Sequence, residues 1–441
     1  MKRIVSMIVV AAAAWAAPVD AKVPSPDVVC RVELDRGVLP AGQNERAVVK
    51  VTLEAPEVSR SDRPPVNLCL VLDRSGSMSG DKMERAKEAA IEAVRRLSAS
   101  DIVSLVIYDH EVETIVPAQS AANIEWIEAR IRQIQTGGNT ALYGGVSQGA
   151  SEIRKNTDRR FVSRIILVSD GIANVGPSSP DELGRMGTSL MKEGISVTTI
   201  GLGNDYNEDL MTRLAQSSDG NTYFVRDSSD LPRIFAAELG DVLSVAARDV
   251  LLEIECPDGV RPIRIIGRDG VIRGNKVELR LNQLYGGQQK YALVEVEVPA
   301  TESSRTRQVA FAKVDYDNAI TSVRAQSSSS VEVTFSPTDA EVQKSVNEPV
   351  MKVVILNEIA DARERAVEFD DKGMREEAAA ALAAPAAQYD GYIQRDLELK
   401  QEADKLDLEA GQVSSGGYDA PGRKKAKTSS ANIRSQQQYK E

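Results

Sequence analysis

Apolar runs and amphipathic segments alternate along the chain from residue 67 to about residue 226. Residues 81–98 place Met83, Ala86, Ala90 and Val94 at three- and four-residue spacing, which predicts a helix with one buried face. Alternation of this kind is typical of a sheet covered by helices on both faces. We therefore predict a doubly wound, mostly parallel, Rossmann-like α/β domain at residues 63–247, with strands in five apolar runs: 67–72, 101–108, 164–169, 195–203 and 221–225.

The segments on either side of this unit have a different period. Residues 27–34 and 251–256 alternate apolar and charged positions, as half-buried strands do. Similar strand-like runs follow at 275–281, 290–299, 307–316 and 329–335. The pattern predicts a small β-sandwich built from residues 22–62 and 248–336, with the α/β domain inserted into it.

The chain becomes helical in pattern after this second β segment. We predict a helical region at residues 337–410, with one long amphipathic helix and a second one interrupted at Pro385. Residues 411–441 are rich in Gly, Ser, Lys and Gln and are predicted to be disordered. From residue 423 onward this tail carries six positive charges and one negative charge, and a solubilising role is the simplest interpretation.

Residues 1–21 have the features of a secretory signal peptide. Lys2 and Arg3 precede a short apolar run, and Ala21 gives a small residue at the expected cleavage point. Cleavage after Ala16 and an uncleaved membrane anchor are the alternatives. No later stretch is long and apolar enough to span a bilayer, so the mature chain is expected to lack a transmembrane segment. The expected location is periplasmic, at the cell envelope or secreted.

Charge and residue usage narrow the possible functions. The 441 residues carry a formal net charge of -11, which argues against nucleic acid as the main partner. The single His and the three Cys form no recognisable zinc cluster. The oligomeric state is left open by the sequence.

Oxygen-bearing side chains follow several of the predicted strands. Asp73, Ser75 and Ser77 come directly after the first strand, Thr140 lies in a glycine-rich loop, and Asp170 ends a later strand. Open α/β sheets bind ligands at the carboxyl ends of their strands, where such loops converge. A site with only oxygen ligands selects a hard divalent cation such as Mg²⁺, Mn²⁺ or Ca²⁺.

These motifs resemble the metal-ion-dependent adhesion site of von Willebrand factor type A (VWA) domains, in an exported bacterial type with flanking sandwich strands. The resemblance rests on Asp-x-Ser-x-Ser at residues 73–77, on Thr140 and on Ser-Asp-Gly at residues 169–171. It implies that Ser75, Ser77 and Thr140 contact the ion, while Asp73 and Asp170 bind it directly or through water. It also implies that an acidic residue of a bound protein completes the site.

We therefore expect an exported, non-enzymatic binding protein that engages an acidic group of a partner protein through a divalent cation. One alternative is an envelope scaffold in which the metal only stabilises the fold. Another is a hydrolase, because Ser79 and Lys82 form a Ser-x-x-Lys pattern at a helix start. The partner motifs of such enzymes are missing, since Ser-Asp-Gly stands where Ser-Asp-Asn is required.

Two cysteines suggest a disulfide bond. Cys30 and Cys256 share the apolar phase of strands that flank the inserted domain, and export would permit oxidation. We predict that they form a possible disulfide across the sandwich, although connectivity does not follow from sequence alone. Cys69 lies within an apolar run and is expected to be buried as a small hydrophobic residue.

Overall fold

The computed structural model describes residues 27–59, 63–156, 158, 160–257 and 259–437. The strands are β1 (Val29–Leu34), β2 (Val38–Pro40), β3 (Glu45–Glu54), β4 (Val66–Asp73), β5 (Ile102–Tyr108), β6 (Val112–Ser120), β7 (Val162–Ser169), β8 (Ile195–Leu202), β9 (Thr222–Val225), β10 (Val245–Glu255), β11 (Arg261–Ile266), β12 (Val271–Arg273), β13 (Lys276–Tyr285), β14 (Gln289–Val298), β15 (Thr306–Asn318) and β16 (Arg324–Ser336). The helices are α1 (Asp81–Arg95), α2 (Ile124–Arg132), α3 (Leu142–Arg154), α4 (Pro180–Lys192), α5 (Glu208–Ser217), α6 (Leu231–Val242), α7 (Asp339–Lys344), α8 (Glu348–Asp371), α9 (Arg375–Ile393), α10 (Leu397–Gly416) and α11 (Ala420–Ser435). The predicted signal peptide at residues 1–21 lies outside the described residues.

The inserted domain is built on a six-stranded sheet with the order β6-β5-β4-β7-β8-β9. All neighbours are parallel except β5 and β6, which are antiparallel. Successive residues of the central strand β4 enter opposite cores: Leu70 packs with α1 and α6, and Val71 packs with α3 and α5. The doubly wound α/β prediction is confirmed. The edge strand β6 was missed, because Pro117 and its charged positions weaken the strand pattern.

The β-sandwich contains strands from both sides of the insertion. One sheet has the order β1-β3-β14-β11, and the other has the order β12-β13-β10-β15-β16-β2. Strand β3 pairs with β14 along its full length, from Glu45 opposite Val298 to Glu54 opposite Gln289. The α/β domain is therefore inserted into a sandwich, as predicted, and the chain enters and leaves it through β4 and α6.

Helices α8, α9 and α10 form the predicted helical region, although the break falls elsewhere. Pro385 lies inside α9, whose backbone leaves helical geometry at Tyr389, and the chain ends the helix at Ile393 before Asp396 caps α10. A proline inside a helix removes a backbone hydrogen bond, and α9 accommodates it with a kink. Among the described residues, no helix combines the length and apolarity needed to cross a membrane.

The tail predicted to be disordered is helical over most of its length. Helix α10 continues to Gly416, and α11 follows after Asp419, whose carboxylate accepts the Gly422 N–H at 2.7 Å. The basic composition that suggested disorder is neutralised by acidic neighbours. Arg423 pairs with Glu208, Asp209 and Asp371, and Lys424, Lys427 and Arg434 also form ion pairs. The composition of the tail did not predict this helix, because the acidic partners of its basic side chains lie far away in sequence.

The predicted disulfide is not formed. Cys30 and Cys256 are both free and both buried in the sandwich core. The shared alternation phase correctly predicted that both side chains face the same core. Phase determines the face on which a side chain lies and not its position along the sheet, so it does not bring two thiols into bonding geometry. Cys69 is fully buried, as expected.

A buried charged network joins the inserted domain to the sandwich. Arg164 on β7 and Glu238 on α6 are both fully buried and lie 3.4 Å apart. The Arg164 guanidinium also donates to Gln283 Oε1 at 2.7 Å and to the Tyr285 hydroxyl at 2.5 Å, both on sandwich strand β13. Glu238 in turn accepts from Asn221 Nδ2 at 2.8 Å. The two domains are thus held in one orientation by groups that water does not reach.

We expect Arg164→Met to destabilise the protein by about 3–5 kcal/mol, because it leaves the Glu238 charge buried without its partner. The double variant Arg164→Met with Glu238→Leu should lose less than the sum of the two single changes. Urea unfolding followed by circular dichroism measures both, with the exposed Arg273→Gln as a control expected to stay within about 0.5 kcal/mol of wild type. Additive losses would show that the two side chains do not act as a pair.

The docking of α11 should depend on its ion pairs. We expect Arg423→Ala to raise hydrogen–deuterium exchange of the α11 backbone by about tenfold, because one side chain then no longer links α11 to α5 and α8. Arg395→Ala is the matched control, since Arg395 pairs with Glu348 where both side chains are largely exposed. Equal exchange of α11 in the two variants would mean that apolar packing alone holds this helix.

Candidate metal-binding site

Asp73 is the last residue of β4 and lies at the carboxyl edge of the inserted sheet. Its side chain is fully buried, with Oδ1 accepting the Ser75 N–H at 2.8 Å and Oδ2 accepting the Ser169 hydroxyl at 2.6 Å. The Ser75 and Ser77 Oγ atoms lie 3.1 Å apart. The first loop therefore brings one carboxylate and two hydroxyls together, as its alternating sequence predicts.

Asp170 reaches the same place from the neighbouring strand. It follows β7, is fully buried, and its Oδ1 accepts the Ser77 hydroxyl at 2.6 Å. Strands β4 and β7 are parallel neighbours, with Leu72 opposite Val168, so their carboxyl ends lie side by side. This strand pairing brings Asp73 and Asp170 together across almost a hundred residues of sequence.

Thr140 completes the group from the loop before α3. It is buried, and its N–H donates to Asn174 Oδ1 at 2.9 Å while its carbonyl accepts the Asn174 N–H at 3.1 Å. Gly171 allows this approach: a Cβ at that position would lie 2.7 Å from Thr140 Oγ1 and 3.5 Å from Asp73 Oδ2. Only a glycine leaves room for the threonine hydroxyl near Asp73.

Backbone hydrogen bonds hold the first and second loops against each other. The Gly76 N–H donates to the Gly138 carbonyl at 3.2 Å, and the Gly137 N–H donates to the Arg74 carbonyl at 2.8 Å. Gly138 adopts a φ of 72°, and a side chain there would collide with His110. The loop positions are therefore set by main-chain contacts rather than by the ligand groups themselves.

Two buried carboxylates lie close together at the centre of the site. Burial raises the pKa of the Asp73 carboxyl to about 6, against the hydrogen bonds from Ser169 and Ser75, which lower it. Nearby Asp170 raises it further. A divalent cation between the two carboxylates would favour their ionised forms, and this is the electrostatic condition that a metal site meets.

The donor set fits a hard divalent cation. All five predicted side chains converge, and every donor atom is an oxygen: Asp73, Ser75, Ser77, Thr140 and Asp170. In the part of the chain that the structure describes, no cluster of three or more His, Cys, Asp or Glu side chains is arranged for a metal ion. Two carboxylates formally balance the charge of a divalent ion here, and the Lys82 ammonium group against Asp170 leaves the site with net positive charge.

The sequence did not predict the positioning role of three residues at the site. Ser169 donates to Asp73, Asn174 orients Thr140, and Lys82 places its ammonium group against Asp170 Oδ2. Ser169 stands next to Asp170, which was a usable signal. No sequence signal indicated Asn174, because its contact with Thr140 depends on how the loop after β7 folds back.

The Ser-x-x-Lys pattern does not form a catalytic pair in this structure. The Ser79 hydroxyl donates to the Gly76 carbonyl at 2.7 Å and lies 3.0 Å from Thr136 Oγ1. Lys82 Nζ instead contacts Asp170 and the Ser77 carbonyl. A nucleophilic serine needs its base within hydrogen-bond reach, and the described contacts join Lys82 to the candidate metal site instead.

Comparison with known proteins identifies the class of the inserted domain. Residues 67–237 match the family model of the von Willebrand factor type A domain. The inserted α/β unit is a VWA domain, and domains of this class commonly act as metal-dependent protein-interaction modules that bind divalent cations. The resemblance to a VWA domain is thereby confirmed for the inserted domain.

Curated relatives match part of the chain. The uncharacterized protein sll0103 of Synechocystis is 31% identical over 202 residues, which cover 46% of this chain and 46% of that protein. YfbK of Escherichia coli is 29% identical over 232 residues, covering 52% and 40%. The match thus spans less than half the length of these relatives.

Solved structures share the fold over most of the chain. A von Willebrand factor type A protein from Catenulispora acidiphila superimposes with a TM-score of 0.68 at 18% identity, covering 88% of this chain and 87% of that one. The ArnB paralog VWA2 from Sulfolobus acidocaldarius gives a TM-score of 0.61 at 18% identity, covering 88% and 97%. The fold likeness therefore extends beyond the inserted domain.

We expect Asp73→Asn and Asp170→Asn each to weaken Mn²⁺ binding by a factor on the order of 100, because each removes one of only two carboxylates. Electron paramagnetic resonance of free Mn²⁺ measures the affinity, and circular dichroism checks the fold. Asp269→Asn is the matched control, since that side chain is 93% exposed and lies away from the site. Unchanged Mn²⁺ affinity in both site variants would contradict the assignment.

Proposed function

We propose that this chain is an exported, non-enzymatic binding protein that captures an acidic group of a partner protein through a Mg²⁺ ion at the metal-ion-dependent adhesion site. Asp73, Ser75, Ser77, Thr140 and Asp170 hold the ion. The signal-like segment at residues 1–21 supports export, and Mn²⁺ or Ca²⁺ are the other cations that this donor set accepts.

One observation carries the proposal: five oxygen donors converge at a loop edge, and only two of them are carboxylates. A bound ion would supply a Lewis-acidic centre, and the Lys82 ammonium group against Asp170 leaves the site with one positive charge more than its two carboxylates balance. The protein's own contribution is to hold three neutral hydroxyls around that centre in a fixed arrangement. A carboxylate from outside then adds the missing negative charge, which is why an acidic side chain is the partner group that we propose.

The surroundings of the site favour a protein partner over a small anion. Ile172 follows Gly171 directly and is 61% exposed, although it is a large apolar side chain. A protein partner would cover this apolar side chain on reaching the ion, whereas a small anion would leave it in water. Ile172 would contact apolar surface of the partner while the ion engages its carboxylate.

We expect the purified protein to retain its partner from cell-envelope extract in Mg²⁺ and to release it when a chelator is added. Asp170→Asn should retain none, because it lacks one of the two carboxylates that hold the ion, whereas Asp269→Asn should behave as wild type. Quantitative mass spectrometry of the eluates measures the difference.

The retention experiment, a melting-temperature measurement and a hydrolysis assay together distinguish the alternative functions. Proteins retained equally with and without chelator would contradict a metal-dependent interaction. A melting temperature that falls on chelation, with no chelator-sensitive partner, would favour the envelope scaffold with a stabilising metal. Hydrolysis of an ester or lactam substrate that is lost in Ser79→Ala would favour the hydrolase.

A further inference from the structure

A cationic pocket lies next to the candidate metal site. It has a volume of about 360 Å³ and is lined by Lys82, Leu202, Gly203, Arg226, Asp227 and Ser228. Lys82 belongs to both places, because its ammonium group contacts Asp170 while its side chain lines the pocket. The pocket therefore borders the candidate metal site.

The pocket presents positive charge that the surrounding protein does not fully neutralise. Arg226 is exposed, and it makes no ion pair with any residue that the structure describes. Lys82 Nζ is held by Asp170 and by the Ser77 carbonyl at 3.4 Å. Once a divalent ion shares the charge of Asp170, the Lys82 ammonium group gains spare capacity for a further anion.

The one acidic lining residue is already engaged. The Asp227 carboxylate accepts the Ser229 N–H at 3.0 Å. Hydrogen bonds from Ser229 lower the pKa of this carboxyl, and the positive charge of Arg85 lowers it further. The Ser228 hydroxyl donates to Asp81 at 3.0 Å, so its proton is not available to a ligand carboxylate. The groups left for a ligand in this pocket are the two cations.

We propose that the pocket is a second carboxylate subsite, so that the partner is recognised by a pair of acidic side chains. One carboxylate reaches the metal ion, and the other lies between Lys82 and Arg226. This inference rests on the proposed function and adds to it the chemical class of the partner segment. An acidic pair is selected because a single carboxylate leaves Arg226 without a counter-charge.

Gly203 makes the approach to this subsite possible. Its φ is 68°, and a Cβ there would lie 3.6 Å from Lys82 Nζ. A side chain at residue 203 would extend over the ammonium group and shield it from an incoming ligand. The glycine keeps the rim between the ion and Arg226 open, which is what a ligand spanning both positions needs.

The test uses capped peptides in Mn²⁺ with one aspartate, or with two aspartates separated by one, two or three glycines. In the wild type, we expect the best two-aspartate peptide to bind about tenfold more tightly than the one-aspartate peptide. In Arg226→Gln this advantage should fall to about twofold, and Arg226→Lys should restore most of it. Arg273→Gln, an exposed arginine of the sandwich, should keep the wild-type ratio.

Mn²⁺ affinity is measured on each variant by paramagnetic resonance, so that a change at the ion is not mistaken for loss of the second contact. If the one-aspartate peptide binds only with Mn²⁺ and no two-aspartate peptide binds more tightly, the subsite is overturned and the proposed function stands. If no peptide shows Mn²⁺-dependent binding, carboxylate capture itself is overturned. An advantage that persists in Arg226→Gln would also overturn the subsite.

Discussion

The buried ion pair between Arg164 and Glu238 fixes how the two parts of the molecule are joined. Both side chains are fully buried, and Arg164 donates to Gln283 and Tyr285 of the sandwich. Within the inserted domain, the pair is hydrogen-bonded to Thr198, Asn221 and Tyr223. Isolated buried charges are costly, and the sandwich contributes Gln283 and Tyr285 as neutral hydrogen-bond partners of the Arg164 guanidinium. A rotation of one domain against the other would break the hydrogen bonds from Arg164 to Gln283 and Tyr285.

This constraint matters for the candidate site because the loops that build it are carried by the same sheet. Arg164 and Asp170 lie on and just after β7, with the ion pair near the amino end of the strand and the site beyond its carboxyl end. The contact with the sandwich therefore lies at the amino end of β7, and the candidate site lies beyond its carboxyl end. A binding site at the free edge can meet a large partner without disturbing the interface between the domains.

The C-terminal helix α11 adds a second connection between the parts of the molecule. Arg423 and Lys424 pair with Glu208 at the start of α5, Arg434 pairs with Asp361 on α8, and Gln436 accepts the Tyr291 N–H at 2.7 Å. One basic helix thus contacts the inserted domain, the sandwich and the helical region. The acidic surface that receives it accounts for part of the negative charge of the chain.

Local patterns determined most of the architecture and the composition of the candidate site. Alternation distinguished the strands of the sandwich from the buried strands of the inserted sheet, and the residues at strand ends indicated where the oxygen donors would meet. Such features are readable because each depends on a few neighbouring residues. Asp73, Ser75 and Ser77 occupy one short loop, and their convergence follows from the strand that precedes them.

Other features were decided only by the tertiary structure. The basic tail folds as α11 because Glu208, Asp209 and Asp361 supply counter-charges from distant segments, and Cys30 and Cys256 share a core without forming a bond. The sequence placed Lys82 only at the start of a helix, whereas the fold brings its ammonium group to Asp170 and its side chain to the neighbouring pocket. A sequence states which charges a chain carries, whereas only the fold decides which of them meet, because pairing is set by distances through space.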